Sequence, residues 1–209
     1  MKKLLAVQIT ALLLIAGGLV SMWVVTPAYS EIKAGIVDVL CLSCLKLQPK
    51  TSSEFVFATA NNESHPSFVF DNLTRGIVFL EWSGDSCLGC DIMFPVIQDL
   101  FDLTYDKQDM VSRHLVFEGN NITFYYTNIH HAIPERVSSQ FIYDKDHVNG
   151  IPMFTVVTLG YDHGTVRPMY TTLYGTLLLD TDAERLALLT DILEQSIQIY
   201  HENSEGFHH

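Results

Sequence analysis

Four cysteines occur in this chain of 209 residues, and they fall into two Cys-x-x-Cys pairs, Cys41/Cys44 and Cys87/Cys90. Unrelated thiols rarely fall that way, and the spacing points to redox chemistry or to a metal. The second pair constrains the fold most. It closely follows Ile77–Trp82, a nearly continuous apolar run of the kind a buried central strand needs. It also opens a stretch, Cys87 to about Tyr105, in which Phe94, Ile97, Leu100 and Phe101 recur at helical spacing. A thiol at a helix N-terminus sits near the positive end of the macrodipole and near N–H groups without intrahelical partners. Both favour thiolate, the nucleophilic form. A second sulfur one turn along can then reach the first, so that Cys87 attacks a disulfide and Cys90 resolves the mixed product.

Around this unit the periodicity alternates between strand and helix. Strand candidates are Phe55–Ala58, Ile77–Trp82, Ile122–Ile129, Met153–Leu159 and Met169–Tyr174. Helix candidates are Pro66–Leu73, Cys87–Tyr105, Pro134–Ile142 and Asp182–Tyr200. In the last of these, Asp180 or Thr181 can cap, and Leu186, Leu189, Ile192, Leu193, Ile197 and Tyr200 form the apolar face. The order β-α-β-α-β-α-β-β-α implies an α/β domain with a mostly parallel sheet covered on both faces, closed by an antiparallel hairpin through Tyr161–Gly164.

The N-terminus reads differently. Lys2 and Lys3 precede Leu4–Val25, an uncharged run of 22 residues. At about 1.5 Å per residue it is long enough to cross a bilayer core of about 30 Å. Ala28-Tyr29-Ser30 also offers the small residues of a cleavage site after Ser30. An uncleaved anchor and a cleaved signal both place the remainder outside the cytoplasm, because the positive flank stays inside. Sequons at Asn62, Asn72 and Asn121 fit that side. The expected organisation is an anchor or signal over 1–30, a short juxtamembrane helix with Cys41/Cys44 over 31–50, one domain over 51–201 and a tail over 202–209. Beyond residue 30 the chain carries 10 Lys/Arg against 24 Asp/Glu, a net charge of −14. Such a surface offers no phosphate-neutralising patch, which argues against nucleic acid as a partner.

Further residues turn the motif into a resemblance. Glu81 lies six residues before Cys87, Pro95 lies five after Cys90, Gly150-Ile151-Pro152 precedes a strand, and Gly175 separates the last strand from the last helix. Over roughly residues 52–200 this pattern resembles the thioredoxin superfamily. The resemblance implies a thioredoxin-like fold, a central mixed sheet flanked by helices, here preceded by the transmembrane or signal helix. It implies a thiol–disulfide oxidoreductase that needs no cofactor beyond a redox-active Cys87–Cys90 disulfide. Cys87 would be the nucleophile, Cys90 the resolving thiol, and Glu81 a proton acceptor for Cys90, directly or through water. Pro152, in a cis-proline loop, would present the backbone of Ile151 to an extended substrate chain and keep metal off the thiols. Trp82 is a second candidate substrate contact, a core role being its other reading.

Protein dithiols or disulfides would be the substrates, with a membrane electron donor as a further partner and the bilayer engaged through residues 4–25. Cys41/Cys44 is open between a structural disulfide, a relay dithiol and a metal site. The sequence departs from the family in three places. Ser86 stands where a tryptophan is usual. Leu88-Gly89 is an unfamiliar middle pair. Asp91 replaces a common lysine, and its charge should oppose thiolate formation slightly. The extra length between Cys90 and Pro152 is placed at about Met110–Asn121 and 143–149. Two other functions remain open at this level: a copper-handling module using the thiols with His130 and His131, and a non-catalytic interaction domain.

Overall fold

A computed structural model describes residues 55–108 and 110–207. The expected anchor, the cleavage site, the Cys41/Cys44 helix and the linker before residue 54 lie outside the described residues. Among the described residues no helix is long and apolar enough to cross a membrane.

Ten segments follow in order: α1 (Ser67–Phe70), β1 (Ile77–Ser83), α2 (Leu88–Phe101), β2 (Val111–Phe117), β3 (Asn120–Asn128), α3 (Pro134–Tyr143), β4 (Met153–Asp162), β5 (Thr165–Tyr174), α4 (Asp182–Asn203) and a 3-10 turn, Ser204–Gly206. One five-stranded sheet runs β2-β3-β1-β4-β5. β1, buried along its whole length as its unbroken apolar run requires, sits at the centre. Only the β1–β3 pair is parallel; β2–β3, β1–β4 and β4–β5 are antiparallel. The sheet is therefore mixed, as the thioredoxin resemblance implied, and the mostly parallel sheet read from the β/α alternation is corrected. The connections explain this. Parallel neighbours need a crossover helix, whereas β2–β3 and β4–β5 are joined by tight turns that force antiparallel pairing.

The edge strand is the other correction. Phe55–Ala58 contributes a single bridge, Val56 to Tyr170, at the β5 edge. The place beside β3 is filled by Val111–Phe117, a segment read as inserted length. Its alternation is weak, with Val111 buried and the next three residues exposed, because an edge strand buries little.

Side chains from the two faces of β1 divide the core. Val78, Leu80 and Trp82 join Val69, Leu73, Tyr125, Tyr143, Met153, Val157 and Tyr170 beneath α1 and α3. Phe79 turns the other way, its ring centroid 5.0 Å from Phe101 of α2 and 6.0 Å from Phe124 of β3. α4 packs on that second face, where Thr158 of β4 donates to the Ser196 carbonyl. Thr181 and Glu184 form a full capping box at its start. Arg185, Ser196 and Ile199 share its buried side with the expected apolar residues, while Leu186 and Tyr200 are half-buried.

Candidate active site

Cys87 is the N-cap of α2, in extended conformation, and its Sγ accepts the N–H of Cys90 at 3.1 Å. The helix thus opens on a sulfur where an oxygen side chain usually stands, and one of its free donors points at that sulfur. The two sulfurs form a disulfide with an S–S distance of 2.08 Å. Cys87 is half-buried, Cys90 is 2% exposed, and Leu88 between them is 75% exposed. Access therefore distinguishes the two thiols in the sense expected of a nucleophile and a resolving partner. Ser86, at the position of the missing tryptophan, has a φ of 55° and turns the chain into the helix.

Pro152 faces this pair. The Ile151–Pro152 bond is cis, and Cys87 Sγ lies 3.7 Å from the Ile151 carbonyl oxygen. The Gly175 N–H holds the Pro152 carbonyl at 2.8 Å, which gives the glycine after β5 a structural task. Gly89 makes the approach feasible, since a Cβ there would stand 3.0 Å from Pro152 Cδ. Gly84 does the same on the other side: a Cβ would meet Ile151 Cδ1 at 2.7 Å and His130 Cε1 at 3.1 Å. Ile151 and His130 thus converge over the end of β1.

Glu81, on β1 six residues before Cys87, is 1% exposed. Its Oε2 accepts the Tyr105 hydroxyl at 2.8 Å, and its Oε1 has no partner. Burial pushes the carboxyl up to about 8, against the Tyr105 hydrogen bond and the Lys107 charge, which pull it down. Burial and the neighbouring Glu81 drive the Tyr105 phenol strongly upward, so it remains a donor. Tyr105 was expected at the end of the dithiol helix. Instead α2 stops at Phe101, Asp102 takes a φ of 47°, and Leu103 N–H closes on the Gln98 carbonyl in a Schellman-type end. That reversal returns Tyr105 under the sheet, its ring 4.8 Å from Phe94 and 4.8 Å from Tyr126.

Lys107 follows in the same loop. Its Nζ pairs with Asp91 Oδ1 at 2.5 Å and stands 4.7 Å over the Phe94 ring. Its carbonyl receives the Tyr126 hydroxyl at 2.9 Å and the Asn128 amide at 2.8 Å. The Asp91 charge, read from sequence as opposing thiolate, is therefore matched by a cation, though the pair is partly exposed and weak. Nothing in the sequence marked Tyr105 or Lys107, since both act across a loop reversal.

One expectation changes. Trp82 is 1% exposed, donates its indole N–H to the Arg136 carbonyl at 3.0 Å and packs on Tyr143, so it offers no surface to a substrate. Its neighbour alternation places it on the face away from Glu81. His130 and His131 are partners of Asp85, two residues before Cys87. The Asp85 N–H donates to His130 Nδ1 at 2.9 Å, and His131 Nε2 lies 2.9 Å from Asp85 Oδ2. Of the sequons, Asn72 has its amide committed to Phe68, Tyr125 and Thr123, whereas Asn62 is exposed.

No family model and no curated protein matches the sequence. Among solved structures the chain is similar to thioredoxin from Aeropyrum pernix, at 12% identity over 68% of this chain and 96% of that chain, with a TM-score of 0.33. A central β1 flanked by parallel β3 and antiparallel β4, a Cys-x-x-Cys disulfide opening the following helix and a cis-proline loop facing it together make this a thioredoxin-like fold.

Proposed function

We propose that the chain is a thiol–disulfide oxidoreductase that acts on the dithiols and disulfides of exported proteins from a membrane-tethered, extracytoplasmic position. One observation carries the chemistry: the sulfur of half-buried Cys87 caps α2, takes an N–H from its first turn and lies 3.7 Å from the carbonyl beside Pro152. In the reducing direction, Cys87 thiolate attacks one sulfur of a substrate disulfide, and the other leaves as a thiolate. Cys90 then gives its proton to Glu81, attacks Cys87 Sγ and expels the second substrate sulfur. The substrate gains two electrons, and the Cys87–Cys90 pair becomes the disulfide. A raised carboxyl near neutral pH suits Glu81 to move that proton in either direction. Location and partners rest on the apolar run at residues 4–25 and the basic residues before it.

The test is disulfide reduction by the purified chain, coupled to a dithiol reductant. Wild type should turn over and Cys87→Ser should lose essentially all activity with the fold intact. Activity surviving that substitution would remove Cys87 as nucleophile.

A further inference from the structure

We propose that Tyr105 is a positioning residue for the resolving half-reaction: by donating its hydroxyl hydrogen to Oε2 of Glu81, it leaves Oε1 as the carboxyl oxygen that exchanges a proton with Cys90. This rests on the exchange chemistry proposed above and assigns an atom and a partner to it.

Three observations support the assignment. The two carboxyl oxygens are unequal, Oε2 taking a hydrogen bond at 2.8 Å and Oε1 none, in a side chain that is almost fully buried. Tyr105 itself is held on several sides, by Phe94, Phe124 and Tyr126, so its hydroxyl is fixed relative to β1. Phe94 lies one turn along α2 from Cys90, on the same helix face. Tyr105 thus joins the Glu81 carboxyl of β1 to the α2 face that carries the resolving thiol. The titratable groups on that side include Tyr105 and Lys107 from the loop after α2, Asp91 and Cys90 from α2, and Tyr126 from β3, which Asp85 and Asp106 also influence. The strand neighbours Phe79 and Phe154 are hydrocarbon. Arg185, the buried charge of α4, is bonded to Thr176, Leu179 and Asp182.

In the forward step the Cys90 S–H bond breaks, its proton passes to Oε1, and its electron pair forms the bond to Cys87 Sγ as the substrate sulfur leaves. Removing the Tyr105 hydroxyl takes away a hydrogen bond that holds the carboxyl down, so the carboxylate would form only at higher pH.

The experiment uses the full chain with Cys41→Ser and Cys44→Ser, so that one thiol pair reports, and 5,5′-dithiobis(2-nitrobenzoate) as the probe in stopped flow. The reduced pair should release one thionitrobenzoate as Cys87 is captured and a second as Cys90 resolves. In Tyr105→Phe the first release should be unchanged. The second should move its pH midpoint upward and slow roughly tenfold at pH 7, the factor one pH unit gives. In a Glu81→Gln background Tyr105→Phe should add no further change. A second phase with an unchanged pH profile, or equal slowing with and without Glu81, would overturn the inference. Should Tyr105→Phe fail to fold, 3-fluorotyrosine at position 105 keeps the ring and donates more strongly. It should move the midpoint downward, and an upward or absent shift would count against the role. Wild type lacking a second release, or Cys90→Ser retaining it, would remove the exchange reading itself as well. With that control passed, the Tyr105 result decides the inference alone.

Discussion

On the α1/α3 face of the sheet the buried aromatic residues carry polar atoms, and those atoms have partners. Trp82 donates to Arg136, Tyr170 to the Ala58 carbonyl, and Tyr125 to the Phe68 carbonyl. Tyr143 meets His65 Nδ1 at 3.1 Å. On the α2/α4 face Phe79, Phe101, Phe124 and Phe154 supply hydrocarbon, and into it the fold sets Glu81 with a single hydrogen bond. The contrast is between a face whose aromatic polar atoms are bonded, with Arg136 Nη1 unbonded but its guanidinium stacked over Phe68 and Tyr125, and a face that leaves one oxygen of a buried acid without a partner. Satisfied groups fix the packing and have little left to do. An acid in hydrocarbon with one free oxygen has a shifted proton affinity and a site for exchange, and it lies on the face that carries the dithiol helix.

The comparison can be broken most strongly at the hydrocarbon face. Phe79→Ala should cost about 3–5 kcal/mol in urea unfolding, because the ring is fully buried among Phe101, Phe124 and Phe154. A loss under about 1 kcal/mol would mean that this face is loosely packed and that Glu81 is better solvated than its burial implies.

Next comes the pH dependence of Glu81. Its folded carboxyl is raised from 4.5 to about 8, so the folded state binds the proton more tightly than the unfolded chain. That contribution is fully present below about pH 4.5 and is lost as pH rises through about 8. Glu81→Gln cannot ionise. Its stability relative to wild type should be constant in acid and improve by a few kcal/mol between those limits, apart from a fixed offset for the amide. A flat difference across pH 4–9 would show that Glu81 is not held protonated.

On the α1/α3 face, Trp82→Phe should cost about 1–3 kcal/mol through lost volume and one lost hydrogen bond, since Ser139 Oγ still donates to the Arg136 carbonyl. Disulfide exchange should be unaltered, and a raised KM for a protein substrate would return Trp82 to the substrate surface. The acid side of the curve belongs to His65, whose ring burial lowers to about 4. The unfolded chain takes up its proton first, so this contribution is present above about 6.5 and is lost as pH falls towards 4. His65→Gln should therefore flatten the acid side of the stability curve while leaving the alkaline side, where Glu81 titrates, as it was.

Much of the site was legible because its signals are local. Cys87 and Cys90 share one turn, Glu81 belongs to the strand that leads into them, and a glycine-isoleucine-proline run before a strand marks the facing loop. The unbroken apolar run over Ile77–Trp82 marked a buried strand but could not say which of its side chains meet the dithiol helix. That is why Trp82, near the motif in sequence, was a candidate contact and proved to be core. The edge strand Val111–Phe117 was missed for a related reason. A strand paired on one side buries few residues, so its pattern is faint, whereas Phe55–Ala58 looked like a strand and found only one bridge.

Consecutive residues by themselves determined the buried central strand, the helix that opens on a thiol, the second thiol one turn along and the proline loop. Period and motif are properties of neighbouring side chains. Only the tertiary structure decided that the chain reverses at Asp102, that Tyr105 reaches back 24 residues to Glu81, and that Lys107 reaches 16 back to Asp91. Those pairings depend on where a helix stops and on which face of a strand it covers. Side-chain spacing along one element carries no record of the distance to another, and the proton affinity of Glu81 is set by that distance and by the hydrocarbon around it.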